Sequence, residues 1–184
     1  MRFGARRVVF DVAVSRINQR LHAPILKQPS VSIHDNAYAN HTHSAMFAEV
    51  KVDEQLGVIR VTRAVSAVAG GRIPNTKTAS SQIMGGVVWG IGMALHEETL
   101  IDHNLGRVMN ADIAEYHVPV NADVHDIKVI FVDEPDAIIN PLGIKGLGEI
   151  GIVGVAAAIA NAIWHATGKR VRDLPITIDK LQDA

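Results

Sequence analysis

One carboxylate set among glycines is the residue of this chain best placed by its neighbours to do chemistry. Glu149 lies inside IKGLGEIGIVG, residues 144–154, between Gly148 and Gly151. Its apolar neighbours disfavour the ionised carboxylate by desolvation, whereas the N-terminus of a following helix favours it. A glutamate balanced between these effects can act as a general base near neutral pH. The plainer alternative is that Glu149 caps the following helix, because acidic residues are common in first turns.

The same glycines also match the outline of a dinucleotide-binding turn. Gly146, Gly148 and Gly151 spell G-x-G-x-x-G. That turn requires a strand that ends directly at its first glycine, but the strand-like run IKVIFVD ends at Asp133 and a proline-containing loop follows. Glu149 would also bring a negative charge to the place where phosphate binds. A dinucleotide-binding domain is therefore the less favoured interpretation.

Composition limits the other chemistry that the chain can do. It has no cysteine, which excludes thiolate metal sites, protein-ligated iron–sulfur clusters and a thiol nucleophile within these residues. His41 and His43 could form a pair on a strand, but no third ligand has suitable spacing, so no metal site is predicted. The net charge is −1, and its interspersed charges favour neither nucleic acid nor an anionic membrane as a partner. The longest apolar run, residues 83–95, is shorter than the ~20 residues that span a bilayer.

Several stretches predict extended structure. Residues 45–69 alternate on either side of the turn DEQLG and predict a β-hairpin. HDIKVIFVD predicts another strand, and LPITIDKL predicts a last extended segment. Residues 1–36 show little pattern; VVFDVAVSRINQRL predicts a short amphipathic helix that the prolines after it would end.

A long helix is predicted over approximately residues 77–98. Thr76 or Thr78 would be its N-cap, and its apolar residues recur every four positions. Gly86 and Gly90 lie four residues apart within it and cost ~1 kcal/mol each relative to alanine. We expect another backbone or a ligand to press against that glycine face.

A second helical run follows Glu149 and closes at Gly168. Strands and helices occur without strict βαβ repetition, which favours an α+β fold over a doubly wound sheet. We expect mixed sheets with two long packed helices.

Four stretches of the chain together resemble one family. They are FAEVKVDEQLGVIRVTRAVSAVAGGRIPN, SQIMGGVVWGIGMALHEE, EYHVPVNADVHDIKVIFVD and NPLGIKGLGEIGIVGVAAAIANAIWHATGKRVRDLPIT. Their residues, order and spacing resemble the C-terminal part of the molybdenum-binding (large) subunit of the xanthine dehydrogenase/aldehyde oxidase family, nearest to the prokaryotic aldehyde or isoquinoline oxidoreductase type. The resemblance covers roughly residues 38–181.

The chain departs from that family in one loop and in length. GGRIPNT has Gly70 where the family commonly has cysteine and Thr76 where it has proline, whereas Arg72 and Asn75 are kept. The family's subunit is several times longer. The resemblance therefore implies a fragment, with an unplaced N-terminal segment at 1–36 and a C-terminal molybdopterin-binding lobe at 37–184.

The resemblance also implies a function and a set of site residues. A molybdenum hydroxylase of this family oxidises an aldehyde or an N-heterocycle with water-derived oxygen, and its active-site glutamate, the general base, matches Glu149. The residues expected to approach the cofactor are Gln82, Gly85, Gly86, Lys145, Gly146 and Gly148.

The implied cofactor is molybdenum-molybdopterin in the cytosine dinucleotide form, with 2Fe-2S clusters and FAD on partner subunits. The implied partners are the rest of the molybdenum subunit, an iron-sulfur subunit, an FAD subunit and a small-molecule substrate. The enzyme would be cytoplasmic or periplasmic, with the cytoplasm preferred. The alternative is a catalytically inert, truncated α+β module.

Overall fold

The computed structural model describes residues 11–15, 41–53, 55–56 and 58–182. Its elements in chain order are strands β1 (Asp11–Ser15), β2 (His43–Asp53) and β3 (Val58–Ala69), helix α1 (Thr76–Leu95), strands β4 (Ile101–Asp102) and β5 (Arg107–Val108), a 3-10 helix (Ile113–Glu115), strand β6 (Val124–Phe131), and helices α2 (Val155–Thr167) and α3 (Ile178–Gln182).

Four of the strands form one mixed sheet in the order β1-β2-β3-β6. The pairs β1–β2 and β2–β3 are antiparallel, and β3 and β6 are parallel. A parallel pair needs a long crossover, which α1 and the segment after it supply. The predicted α+β fold with a mixed sheet and two packed helices is confirmed, as is the predicted hairpin at 45–69.

The core lies between the sheet and the two long helices. Inward and outward residues alternate along β2, so that Met46, Ala48 and Val50 are buried. Helices α1 and α2 pack against each other and against the sheet. The largest fully buried side chains come from both layers: Met46, Val50, Val61, Val68, Ile83, Val87, Ile91, Val155, Ile159 and Ile163.

Helix α1 begins close to its predicted start but with a different cap. Asn75 is the N-cap, and its side-chain oxygen accepts from the backbone amides of Lys77 at 3.1 Å and Thr78 at 3.2 Å. The prediction of Thr76 or Thr78 was therefore wrong, because Asn75 has the extended backbone that a capping residue needs.

Two short elements near the chain ends also differ from prediction. Residues 11–15 of the stretch predicted as an amphipathic helix form strand β1 along β2, from the pair Asp11–Ala48 to Ser15–Ser44; the rest of that stretch is outside the described residues. The predicted extended segment LPITIDKL contains α3 instead, and the ammonium of Lys169 donates to the carbonyl oxygens of Leu181 and Gln182.

None of the described helices is both long and apolar enough to cross a bilayer.

Candidate functional site

Glu149 is exposed in a turn that precedes α2. The amide of Ile152 donates to its carbonyl oxygen at 3.2 Å, and regular helix begins only at Val155. The N-cap of α2 is Gly154, in the left-handed conformation and without a side-chain capping bond. Capping of this helix by Glu149 is therefore excluded. Among the described residues, none forms a hydrogen bond or ion pair with its carboxylate.

The dinucleotide arrangement is not formed. Strand β6 ends at Phe131, well before Gly146, so no strand leads directly into the glycine motif. Gly151 is in close contact with α1, since a Cβ on it would lie 2.7 Å from the carbonyl oxygen of Ile83. The third glycine of the motif thus serves helix–loop packing.

Gln82 joins α1 to the loop that carries Glu149. Its side-chain nitrogen donates to the carbonyl oxygen of Gly148 at 2.8 Å. Because Gly85 lies three residues further along α1, it shares the exposed face of Gln82. The fold therefore brings Gln82, Gly85, Gly148 and Glu149 into one region from two distant parts of the sequence.

The predicted glycines fall into two groups. A Cβ added to Gly85, Gly146 or Gly148 would meet no atom of the described residues within 4 Å. A Cβ on Gly86 would instead lie 2.9 Å from the backbone of Gly151. Three glycines therefore leave open surface beside Glu149, and Gly86 is required by the packing of the chain itself.

Lys145 is apart from that open surface. Its side chain is only 4% exposed, and its ammonium nitrogen lies 3.4 Å from a carboxylate oxygen of Asp136. The pKa of the Asp136 carboxyl is lowered, chiefly because the amide of Ile138 donates to it, and the Ile139 amide and the Lys145 ammonium add to the effect. Lys145 therefore already has an internal counter-ion.

The loop after β3 runs beside the segment before Gly146. Gly71 has a φ of 68° and forms a bridge with Ile144, and a Cβ on it would lie 2.3 Å from the carbonyl oxygen of Gly143. Arg72 and Gly143 are further joined by a 2.8 Å backbone hydrogen bond.

Gly70, at the position where the family commonly has cysteine, packs against Leu147, whose Cδ1 is 3.0 Å from a Cβ built there. A cavity of about 430 Å³ opens between these two loops.

Sequence reasoning missed three side chains that fix the loop. Asn140 accepts from the amides of Leu142 and Ile144 and donates to the carbonyl oxygen of Ile144 at 2.7 Å. Thr42 donates its hydroxyl to the carbonyl oxygen of Gly146. Asp136 holds Lys145, as above. Asn140 precedes a proline, a pairing typical of turns that could have indicated its role.

A second group of titratable side chains lies at the end of α1, away from Glu149 in sequence. The rings of His96 and His117 have centroids 4.3 Å apart, and Nε2 of His117 lies 3.3 Å from a carboxylate oxygen of Asp123. The hydroxyl of Tyr116 donates to Glu97 at 2.5 Å. The pKa of His96 is lowered, first by partial burial and then by the neighbouring charge of His117, against the opposing carboxylates of Asp123 and Glu97.

Comparison with known proteins identifies relatives over most of the chain. Residues 15–125 match the family model of the molybdopterin cofactor-binding domain. The chain is 50% identical over 146 residues to the aldehyde oxidoreductase molybdenum-binding subunit PaoC of Escherichia coli K12, which covers 79% of this chain and 20% of that protein. It is 37% identical over 139 residues to the putative xanthine dehydrogenase molybdenum-binding subunit XdhA of the same strain, covering 74% of this chain and 18% of that protein.

Solved structures show the same fold. Quinoline 2-oxidoreductase from Pseudomonas putida 86 superposes with a TM-score of 0.70 at 26% identity, over 77% of this chain and 18% of that one. The aldehyde oxidoreductase from Desulfovibrio desulfuricans gives 0.69 at 30% identity, over 78% of this chain and 15% of that one. The chain thus spans about a fifth of the length of the curated relatives above (20% of the first).

Proposed function

Because this chain belongs to the molybdopterin cofactor-binding family of xanthine dehydrogenase and aldehyde oxidoreductase molybdenum subunits, we propose that it is the C-terminal lobe of a molybdenum hydroxylase. The proposed reaction is the oxidation of an aldehyde or an N-heterocycle with water-derived oxygen, and Glu149 is its general base. The observation that carries the proposal is an exposed carboxylate beside three glycines whose Cβ positions are open.

The described residues fit a large cofactor. Gly85, Gly146 and Gly148 have no side chain, and no atom of the described residues lies where a Cβ would be, so a ligand can approach their backbone closely. The side-chain amide of Gln82 can turn from Gly148 toward a polar group of that ligand. When bound, the molybdenum cofactor, proposed in its cytosine dinucleotide form, supplies the two-electron redox chemistry.

Glu149 supplies the proton transfer in this proposal. An ionised carboxylate only accepts hydrogen bonds, and that of Glu149 has no donor among the described residues. It is therefore available to take a proton from the oxygen that attacks the substrate carbon. The other parts of a larger subunit would cover this surface and exclude water from it. The proposed electron acceptors are 2Fe-2S and FAD groups on partner subunits.

Replacement of the proposed base tests the function in the assembled enzyme. Glu149→Gln keeps the size of the side chain but cannot take up the proton. We expect kcat to fall by about 10²–10⁴-fold, the contribution of a positioned general base, with molybdenum and pterin content unchanged. Glu98→Gln is the matched control, since Glu98 is exposed beyond the end of α1, and it should retain activity.

Two results would contradict the proposal in different ways. Near-wild-type turnover in Glu149→Gln would remove Glu149 from the role of base. A purified wild-type enzyme without molybdenum or pterin would instead favour the inert α+β module.

A further inference from the structure

We propose that Lys145 is a positioning residue, which holds the Gly146–Glu149 loop in place through its ion pair with Asp136 and does not bind the cofactor. This inference rests on the proposed role of Glu149 as base. The family resemblance predicts that Lys145 approaches the cofactor, whereas its ammonium lies beside Asp136.

Asp136 is a fixed anchor. One of its carboxylate oxygens accepts from the amides of Ile138 at 3.0 Å and Ile139 at 3.2 Å. The other oxygen lies 3.4 Å from the ammonium of Lys145. Two backbone amides hold one oxygen and so fix the position of the carboxylate. The ion pair therefore fixes the position of the Lys145 ammonium.

Lys145 is fixed at both its backbone and its side chain. Its amide donates to the carbonyl oxygen of Gly70 at 3.2 Å, which ties it to the end of β3 and so to the central sheet. Its side chain is 4% exposed and ends at Asp136. If the ammonium left for a phosphate on the open surface, it would leave a carboxylate that is itself 23% exposed without its counter-ion.

Beyond Lys145 the loop is held by the packing of Leu147 against Gly70 and by two hydrogen bonds to its carbonyl oxygens. Thr42 donates to the carbonyl oxygen of Gly146, and Gln82 donates to that of Gly148. Gly146 and Gly148 have no side chains to pack, so they add conformational freedom. Glu149 follows only four residues after Lys145, and a shift at Lys145 therefore moves the carboxylate. A small misplacement of a reacting group can lower a rate about 10²-fold.

The test compares Lys145→Met, Asp136→Asn and the double variant in the assembled enzyme. We expect each single variant to lower kcat about tenfold with KM, molybdenum content and pterin content unchanged. The kcat of the double variant should be no lower than that of the less active single variant, because both substitutions remove the same interaction. Lys145→Arg should recover part of the rate, and Lys128→Met, at an exposed lysine on β6, is the control.

A second measurement does not depend on turnover. Amide hydrogen exchange at Lys145 and Ile152, whose amides donate to the carbonyl oxygens of Gly70 and Glu149, should become at least tenfold faster in both single variants, while exchange in β2 and β3 is unchanged. If the wild-type enzyme lacked molybdenum, the proposed function would fail, but this exchange measurement would still test the ion pair. Faster exchange throughout the sheet would mean a general loss of stability and would overturn the positioning role.

Two other results would overturn the proposal. Loss of cofactor in Lys145→Met but not in Asp136→Asn would make Lys145 a cofactor ligand. Unchanged exchange at the amides of Lys145 and Ile152 in both single variants would show that the pair does not hold the loop.

Discussion

Gly86 in helix α1 and Gly151 in the loop before α2 are in direct backbone contact. A Cβ on Gly86 would lie 2.9 Å from the carbonyl carbon of Gly151, and a Cβ on Gly151 would lie 2.7 Å from the carbonyl oxygen of Ile83. Gln82 lies one turn before Gly86, and Glu149 lies two residues before Gly151. This contact therefore sets the distance between Gln82 on α1 and Glu149 in the loop.

Alanine at this contact should destabilise the protein. In Gly86→Ala, overpacking against backbone costs about 1–3 kcal/mol and should outweigh the ~1 kcal/mol gained in helix propensity. We expect a lower urea midpoint with an unchanged m-value. The control is Gly85→Ala in the same helix, where the added Cβ meets no atom of the part of the chain that the structure describes, so stability should stay equal or rise. Equal effects of the two changes would contradict the packing role of Gly86.

Gly85→Ala has a different expected result in the assembled enzyme. If the cofactor approaches the backbone at Gly85, the added methyl group should lower molybdenum and pterin content without lowering the stability of the fold. Elemental and pterin analysis would measure this, with Glu98→Gln, at an exposed residue beyond the end of α1, as the control. Full cofactor content in Gly85→Ala would remove Gly85 from the cofactor site.

Loss of the helix cap should have a measurable cost. Asn75→Ala removes the side-chain oxygen that accepts from the amides of Lys77 and Thr78, which should lower the free energy of unfolding by about 1 kcal/mol. Thr76→Ala is the control, because Thr76 is already inside α1 and is not its cap. Chemical denaturation of the two variants would compare them, and a larger loss in Thr76→Ala would contradict this assignment.

The histidine pair at the end of α1 predicts a pH dependence. His96 has a lowered pKa because of partial burial and the nearby charge of His117, so the unfolded chain binds this proton more readily than the folded one. The contribution of His96 to stability is complete above its ordinary pKa of 6.5 and is lost as pH falls below it. The midpoint temperature of thermal unfolding of the wild type should therefore decrease between about pH 7.5 and 5.5. The decrease should be smaller in His96→Gln.

The control for this pH dependence is His125→Gln, an exposed histidine on β6. A decrease as small in His125→Gln as in His96→Gln would show that the effect is not specific to His96. An unchanged slope in His96→Gln would show that other groups cause the decrease.

Periodic burial explains why much of the fold could be predicted. The hairpin, β6 and α1 each bury one face, and that requirement imposes an alternating or four-residue pattern on the sequence. The pattern failed for β1, because DVAVS is short and an apolar run of that length suits a helix or a strand. Pairing with the edge of β2 decided between them. The short helix α3 was missed for a related reason, since LPITIDKL also alternates.

The sequence by itself determined the family resemblance, the α+β class and the presence of Glu149 among glycines, because these depend on residue types and local spacing. Only the tertiary structure distinguished Gly85 from Gly86, adjacent glycines of which one is open and the other packed against Gly151. Only the structure placed Lys145 beside Asp136. Such contacts depend on how a helix and an irregular loop pack against each other. They join residues that are distant in sequence, so neither hydrophobic periodicity nor secondary-structure propensity predicts them.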